Sequence, residues 1–327
     1  MTPPYTLDDR LPADHYSRAL REDVETGLTA TPKSLSPKWF YDARGSVLFD
    51  RITRLPEYYL TRAERMALRA HAADIAEQTG ARTVVELGSG SSDKTRVLLD
   101  ALAAAGTLER YVPIDVSSTA LGEAGQALAR DYPTLAVTAV LADFEHDLAF
   151  PPATETGPRL VAFLGSTLGN FDTEQRAAFL GRLRSALTGG DALLLGIDLV
   201  KDPAMMIRAY DDQQGVTADF DKNLLAVLNR ELNADFEPGA FDHRAVWNAE
   251  QERMEMRLRA RVATSAKIPP LDLAVDFARG EDLRTEISVK FRQEPMTAEL
   301  AASGFTVEHW WTDPQARFAV VLALPTA

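Results

Sequence analysis

The sequence predicts an α/β fold, a Rossmann-like parallel sheet joined to a second, α+β domain, and three observations carry that expectation. Between Arg82 and Leu195, apolar runs alternate with stretches of helical periodicity, the rhythm of parallel strands covered by helices on both faces. One run, Val84-Val85-Glu86-Leu87, passes directly into the glycine loop Gly88-Ser89-Gly90, where a strand hands the chain to a helix. After Asp198 the rhythm changes to longer helices followed by segments that alternate charged and apolar side chains.

Taken in order, the N-terminal residues 1–11 hold prolines and few apolar groups and are expected to be mobile. Thr61-Arg-Ala-Glu64 reads as a capping box that opens an amphipathic helix ending near Gly80. The parallel strands are expected at Thr83 to Leu87, Tyr111 to Asp115, Ala136 to Ala142, Arg159 to Leu164 and Asp191 to Asp198, with Asp172-Thr-Glu-Gln175 capping another helix. Helices follow at Pro203 to Tyr210 and Thr217 to Asn233, then strand-like pieces between Ala245 and Phe291. Within them, Glu252 to Arg259 alternates like a half-exposed strand, and Trp247-Asn248 and Gly280-Glu281-Asp282 are expected turns. A helix from Glu299 to Ser303 and strands from Phe305 to Trp311 and Phe318 to Leu324 can rejoin the first sheet.

Composition excludes several classes of function. With 327 residues, 46% of them hydrophobic, the chain can bury a proper core. No apolar run approaches the roughly 20 residues of a membrane helix, and Met1 to Leu11 lacks the basic start and apolar core of a signal peptide, so a cytoplasmic protein is expected. The absence of cysteine removes disulfides, thiolate nucleophiles and thiolate zinc sites. A net charge of −13 without a Lys/Arg cluster argues against nucleic acid and favours a small-molecule partner. His15, His71, His146, His243 and His309 show no metal-ligand spacing, so no metal is expected and solvated or capping roles suffice for them. Trp310 and Trp311 are adjacent on a strand and point to opposite faces, which favours packing over an aromatic cage.

The chemistry concentrates at strand ends, where open α/β sheets bind their ligands. Gly88 and Gly90 allow a sharp turn and close approach of the backbone to a ligand. A dinucleotide fingerprint would place a third glycine where Asp93 stands, and that carboxylate competes with phosphate for the helix start. The loop therefore suits a nucleoside ligand without phosphate, such as S-adenosylmethionine. Asp115 can accept both ribose hydroxyls, Asp143 an adenine amino group with Phe144 packed on the base, and Lys94 can reach a carboxylate. The loop Gly165-Ser-Thr-Leu-Gly-Asn170 combines close approach with a side chain that both donates and accepts. Each aspartate can equally be a helix cap, and Lys94 a solvated surface residue.

With these residues the chain resembles the histidine-specific, S-adenosylmethionine-dependent methyltransferases of ergothioneine biosynthesis, from about Ala13 to Leu324. The motifs that carry the resemblance are Pro-Lys-Trp-Phe-Tyr41-Asp, Leu-Pro-Glu-Tyr58-Tyr, Glu-Leu-Gly-Ser-Gly90, Phe-Leu-Gly-Ser-Thr-Leu-Gly-Asn170, Arg-Ala-Tyr210-Asp-Asp and Thr-Glu286-Ile-Ser288. It implies a class I methyltransferase sheet over 59–200 and 287–327, and a substrate-binding domain over 12–58 and 201–286. It implies S-adenosylmethionine contacts at Gly88, Ser89, Gly90, Lys94, Asp115, Asp143 and Phe144. L-histidine would meet Tyr41, Tyr58, Gly165, Asn170, Tyr210, Met256, Glu286 and Ser288. Of these, Tyr58, Asn170 and Tyr210 would hold its carboxylate and amino group, Tyr41 would lie near that amino group, and Glu286 with Ser288 would read the imidazole. The product is the Nα,Nα,Nα-trimethyl betaine, and a monomer is expected. The competing readings are a methyltransferase of the same fold acting on tryptophan or another aromatic amino acid, a non-catalytic S-adenosylmethionine sensor, and a nicotinamide oxidoreductase, which the missing third glycine weakens.

Overall fold

A computed structural model of the chain describes residues 5–90, 92–146, 148, 150 and 157–326. They form two compact units: Met1–Leu11, Arg62–Leu199 and Phe291–Ala327 in unit 1, and Pro12–Thr61 and Val200–Lys290 in unit 2.

Unit 1 is built on the strands β1 (Tyr5–Asp9), β2 (Thr83–Leu87), β3 (Arg110–Asp115), β4 (Ala136–Leu141), β5 (Arg159–Phe163), β6 (Ala192–Asp198), β12 (Phe305–Thr312) and β13 (Phe318–Pro325). They lie in the order β1-β4-β3-β2-β5-β6-β13-β12. The pairs from β1 to β6 are parallel, whereas β13 runs antiparallel to both β6 and β12. Every residue of β2, β5 and β6 is buried, which is why these segments read as continuous apolar runs. Helices α3 (Leu60–Thr79), α4 (Arg96–Ala104), α5 (Ser118–Asp131), α6 (Thr173–Ala186) and α9 (Gln293–Ala302) complete the alternation. The order turns outward on either side of β2 and β5, so the loops after those strands sit at the topological switch point.

Several sequence expectations are corrected in unit 1. Tyr5–Asp9 is a strand, not a mobile tail: it pairs with Val137–Leu141, and the Tyr5 hydroxyl donates to the Leu121 carbonyl at 3.3 Å. Gly125 leaves the space this ring occupies, because a Cβ there would overlap it. Residues 1–4 of that segment lie outside the described residues, as does Ser91 of the glycine loop. The Asp172–Gln175 capping box is present in both directions, but the Thr61–Glu64 one is not. Helix α3 already begins at Leu60, and the Glu64 carboxylate is bound elsewhere, as described below. Asp191 precedes β6 and accepts from the backbone of Thr188 and Arg159 while pairing with the Arg159 guanidinium at 2.6 Å. Burial alone would raise the Asp191 pKa, but these donors hold it below the usual carboxylate range.

Unit 2 contains α1 (His15–Thr29), a 3-10 turn at Pro37–Phe40, α2 (Ala43–Thr53), α7 (Pro203–Tyr210) and α8 (Val216–Leu232). Beside them lie a sheet of β7 (Phe241–Asn248), β8 (Arg253–Ala260) and β11 (Asp282–Val289), in the order β11-β8-β7, and a hairpin of β9 (Thr264–Ile268) and β10 (Leu273–Phe277). Trp247 and Asn248 end β7 rather than forming the turn, which falls at residues 249–252 with Glu252 in the left-handed region at φ 46°. Gly280, at φ 84°, does turn the chain into β11. The unit ends at Lys290, whose amide donates to the Glu252 carbonyl at 2.7 Å, while the next amide, Phe291, donates to Asp198 of unit 1.

Candidate functional site

In unit 1 the residues after β2, β3, β4 and β5 assemble around the glycine loop. Gly88 and Gly90 have φ 68° and 49°, conformations that L side chains adopt only with strain. Among the described residues, a Cβ at Gly90 would meet nothing within 4 Å, and one at Gly88 would meet only the Phe144 ring, at 3.5 Å. The loop surface is thus open, and Phe144 lies beside it. Asp115 closes the loop from below: Oδ2 accepts the Gly90 amide and Oδ1 the Ser117 amide, each at 2.9 Å. Burial raises the Asp115 pKa in spite of these donors. Asp143 is buried; its Oδ1 accepts the Glu145 amide at 3.0 Å, and Oδ2 lies 3.2 Å from His146 Nδ1. Neither aspartate caps a described helix: Ser117 caps α5 by accepting the Ala120 amide, while Asp115 and Asp143 accept loop and turn amides and keep further lone pairs for a ligand. Among the described residues the buried Ser89 hydroxyl has no hydrogen-bond partner, the kind of orphan a ligand would satisfy.

Lys94 is not on a helix, and its side chain is about one quarter exposed rather than fully solvated. It stands in the turn before α4, and Glu64, 1% exposed, holds its ammonium at 2.6 Å. The other Glu64 oxygen accepts the Gly165 amide at 2.6 Å, so one carboxylate ties Lys94 to the loop after β5. Gly196 makes room for it, since a Cβ there would overlap the carboxylate. Gly165 and Ser166 are both left-handed, at φ 81° and 61°, and the Ser166 hydroxyl steadies the turn by accepting the Asp198 amide at 3.0 Å. The chain then coils into the 3-10 turn Thr167–Asn170, whose last residue, Asn170, is half-buried. Beneath the glycine loop, Glu86 accepts from Thr95 Oγ1 at 2.5 Å and from the Tyr111 hydroxyl. Burial pushes the Glu86 carboxyl up to about 7, more than these hydroxyls lower it.

In unit 2 a chain of rings runs from Tyr41 to Phe49 (5.4 Å between centroids), Phe49 to Tyr58 (6.2 Å) and Tyr58 to Tyr210 (6.5 Å). Phe220 lies 5.6 Å from Tyr41 and 5.9 Å from Phe49. Tyr41 is 45% exposed and ends the 3-10 turn. Asp42 caps α2 beside it, accepting the Gly45 amide at 2.7 Å and further bonds from Asn223 and Arg230. Tyr210 is buried at the end of α7, and its hydroxyl lies 2.9 Å from Ser288 Oγ. On β11, past a bulge between Arg284 and Glu286, Glu286 pairs with Met256 and Ser288 with Met254 of β8. Glu286 and Ser288 hence share one face of the strand. Met256 is buried and Glu286 half-buried.

Four features escaped the sequence. Phe49 lies on an ordinary amphipathic helix and carries no local signal, and Glu64 reads locally only as half of a capping box, with nothing nearby to mark its bond to Lys94. Lys290 was readable, because Glu286, Ser288 and Lys290 alternate with Ile287 and Val289 in an otherwise apolar run. His243 is buried, contrary to a solvated or capping role: Nδ1 faces Asp221 Oδ2 at 2.6 Å and Nε2 faces the Tyr210 carbonyl at 2.8 Å. Thr285 donates to the other Asp221 oxygen at 2.5 Å. With an acceptor at each ring nitrogen, the imidazole serves best doubly protonated. Burial would lower its pKa, but Asp221 and the Tyr210 carbonyl more than reverse this, and the pKa is raised. A raised folded-state pKa contributes stability that is complete below the unfolded value of about 6.5 and is lost as pH rises through the folded value. The unfolding temperature is accordingly expected to fall above pH 6.5 in the native chain and to change less over the same range in His243→Gln. Equal slopes in a series of thermal melts would remove His243 as the titrating group.

Trp311 packs against the unit 1 core, stacked between His71 at 5.1 Å and His309 at 4.6 Å. Among the described residues, no group of histidines and carboxylates could hold a metal, and no helix is long and apolar enough to cross a membrane.

The sheet order, the antiparallel β13 and the polar loops at the switch point define a class I S-adenosylmethionine-dependent methyltransferase fold. Residues 20–325 match the family described as histidine-specific, S-adenosylmethionine-dependent methyltransferases, and the chain belongs to that family. It is 54% identical over 319 residues to the histidine N-alpha-methyltransferase of Mycolicibacterium smegmatis, covering 98% of this chain and 99% of that one. The Mycobacterium tuberculosis protein of the same name is 53% identical over 97% of this chain and 98% of its own length. Ergothioneine biosynthesis protein 1 of Neurospora crassa is 35% identical over 61% of this chain, which corresponds to 23% of that longer protein.

Proposed function

We propose that the chain transfers three methyl groups from S-adenosylmethionine to the α-amino nitrogen of L-histidine, giving Nα,Nα,Nα-trimethyl-L-histidine in the first step of ergothioneine biosynthesis. The observation that carries this reading is near-full-length identity above one half to proteins named for histidine Nα-methylation, together with a polar pair, Glu286 and Ser288, on one strand face. S-adenosylmethionine, when bound, supplies an electrophilic methyl group on a sulfonium. The residues of unit 1 fit it: the open Gly88–Gly90 surface, the orphaned Ser89 hydroxyl and the spare lone pairs of Asp115 and Asp143 suit a nucleoside, and Lys94 suits a carboxylate.

Histidine's carboxylate and amino group are assigned to Tyr58, Asn170 and Tyr210, its ring to Glu286, Ser288 and Met256. Displacement at a methyl carbon needs alignment and exclusion of water rather than a covalent intermediate, so holding the amine in place is the main task of these side chains. The amine must first lose a proton, which Tyr41 or water receives. The ring chain Tyr41, Phe49 and Tyr58 offers π-faces that tolerate the growing ammonium without a charge clamp.

The test is mass spectrometry of the purified protein with S-adenosylmethionine and an equimolar mixture of common amino acids. Histidine gaining three methyl groups is the expected result. Methylated tryptophan or tyrosine would overturn the assignment of Glu286 and Ser288, and no methylated amino acid would favour a sensor. Tyr41→Phe with unchanged turnover would remove Tyr41 from proton transfer.

A further inference from the structure

We propose that Lys290 is a positioning residue that fixes the hydrogen-bond polarity of Ser288, so that this hydroxyl can only donate to the substrate ring and the site selects rings with a bare nitrogen. The inference rests on the histidine reading above and extends it to a side chain that the reading does not use. Lys290 is 2% exposed and follows β11 directly. Its ammonium donates to Ser288 Oγ and to the Tyr210 hydroxyl oxygen, each at 2.8 Å, and lies 4.7 Å from the Tyr210 ring centroid. The Tyr210 hydroxyl and Ser288 Oγ are themselves 2.9 Å apart, closing a triangle of polar atoms inside unit 2.

The consequence follows from counting protons. An ammonium has donors only, and each hydroxyl has one proton and two lone pairs. A phenol is the stronger acid and weaker acceptor of the two hydroxyls, so Tyr210 donates to Ser288. Ser288 Oγ then accepts from both Lys290 and Tyr210, and its acceptor capacity is filled. What it has left is its own proton. A ring facing Ser288 must offer an unprotonated nitrogen, while Glu286 on the same strand face, as a carboxylate, takes a ring N–H. Neutral imidazole carries one of each; indole has no bare nitrogen. Without the ammonium, Ser288 regains a lone pair and can turn to accept as readily as donate.

The readout is a ratio that a general loss of structure would not move. The substrates 3-(2-thiazolyl)alanine and 3-(2-pyrrolyl)alanine present, next to the attachment carbon, a bare ring nitrogen and a ring N–H respectively, so only a Ser288 able to accept can bond the second. The native enzyme is expected to prefer the thiazole by about tenfold in kcat/KM, the scale of one buried hydrogen bond. In Lys290→Met, which keeps the aliphatic stem, the preference is expected to fall to about twofold, as in Ser288→Ala, and the double variant should fall no further. Should Lys290→Met not fold, Lys290→Leu carries the same comparison, since neither side chain can donate. A thiazole preference that persists in a folded Lys290 variant overturns the proposal while leaving histidine methylation intact. A native enzyme that methylates neither histidine nor either analogue instead overturns the functional reading beneath it.

Discussion

Replacing Glu64 by alanine is expected to lower the stability of the chain by about 2–4 kcal/mol and to weaken S-adenosylmethionine binding at least tenfold. Glu64 is 1% exposed and its two oxygens are bound to different partners, the Lys94 ammonium and the Gly165 amide. Its loss leaves an amide unsatisfied and a cation, about one quarter exposed, without its counter-charge. The partial exposure of Lys94 holds the estimate below that of a fully buried pair. Glu64→Gln separates the two terms, because its carbonyl can still accept from Gly165 while the ion pair is gone. Thermal melts and calorimetric titration with S-adenosylmethionine provide the readout. If Glu64→Gln keeps native affinity and native melting temperature, Glu64 does not position Lys94.

The second large effect is expected at Glu286. Under the histidine reading its carboxylate accepts the imidazole N–H, and a hydrogen bond to a charged group contributes about 1.5–3 kcal/mol. Glu286→Ala should therefore lower kcat/KM for histidine by roughly 10- to 150-fold. Any activity towards tryptophan should fall less or rise, because a carboxylate facing an indole is left partly unpaired and its removal relieves that cost. Met256 is paired with Glu286 across β8 and β11, so a smaller residue there should add to the shift by making room for a larger ring. Competition assays with both amino acids measure the ratio directly. A variant whose histidine and tryptophan rates fall in step would show that Glu286 supports the fold rather than reading the ring.

Much of unit 1 was legible because its signals are local. Buried parallel strands must be apolar throughout, and a ligand loop at a strand end needs glycine where φ is positive, so β2, β5, β6 and Gly88–Gly90 stand out in the sequence itself. The Asp172 capping box was equally readable, since both of its bonds lie within one turn. The identical-looking Thr61–Glu64 pattern misled, because an ion pair to Lys94, 30 residues away, claims the carboxylate instead. The N-terminal strand misled for the same reason: Tyr5–Asp9 carries little apolar character and is held by a β4 edge more than a hundred residues distant.

The family motifs marked Tyr58, Tyr210, Glu286 and Ser288, but not what holds them. His243 reaches the Tyr210 carbonyl from β7, Asp221 reaches His243 from α8, and Lys290 meets the Tyr210 hydroxyl 80 residues along the chain. The sequence by itself determined the strand pattern, the glycine loop and the choice of polar residue types, because these follow from periodicity and backbone conformation within a few neighbouring residues. Tertiary structure alone decided which carboxylate binds which cation, which hydroxyl is forced to donate and which aspartate closes the loop. A side chain's partner is set by distance in space, and between β7, α7, α8 and β11 that distance is not written in sequence separation.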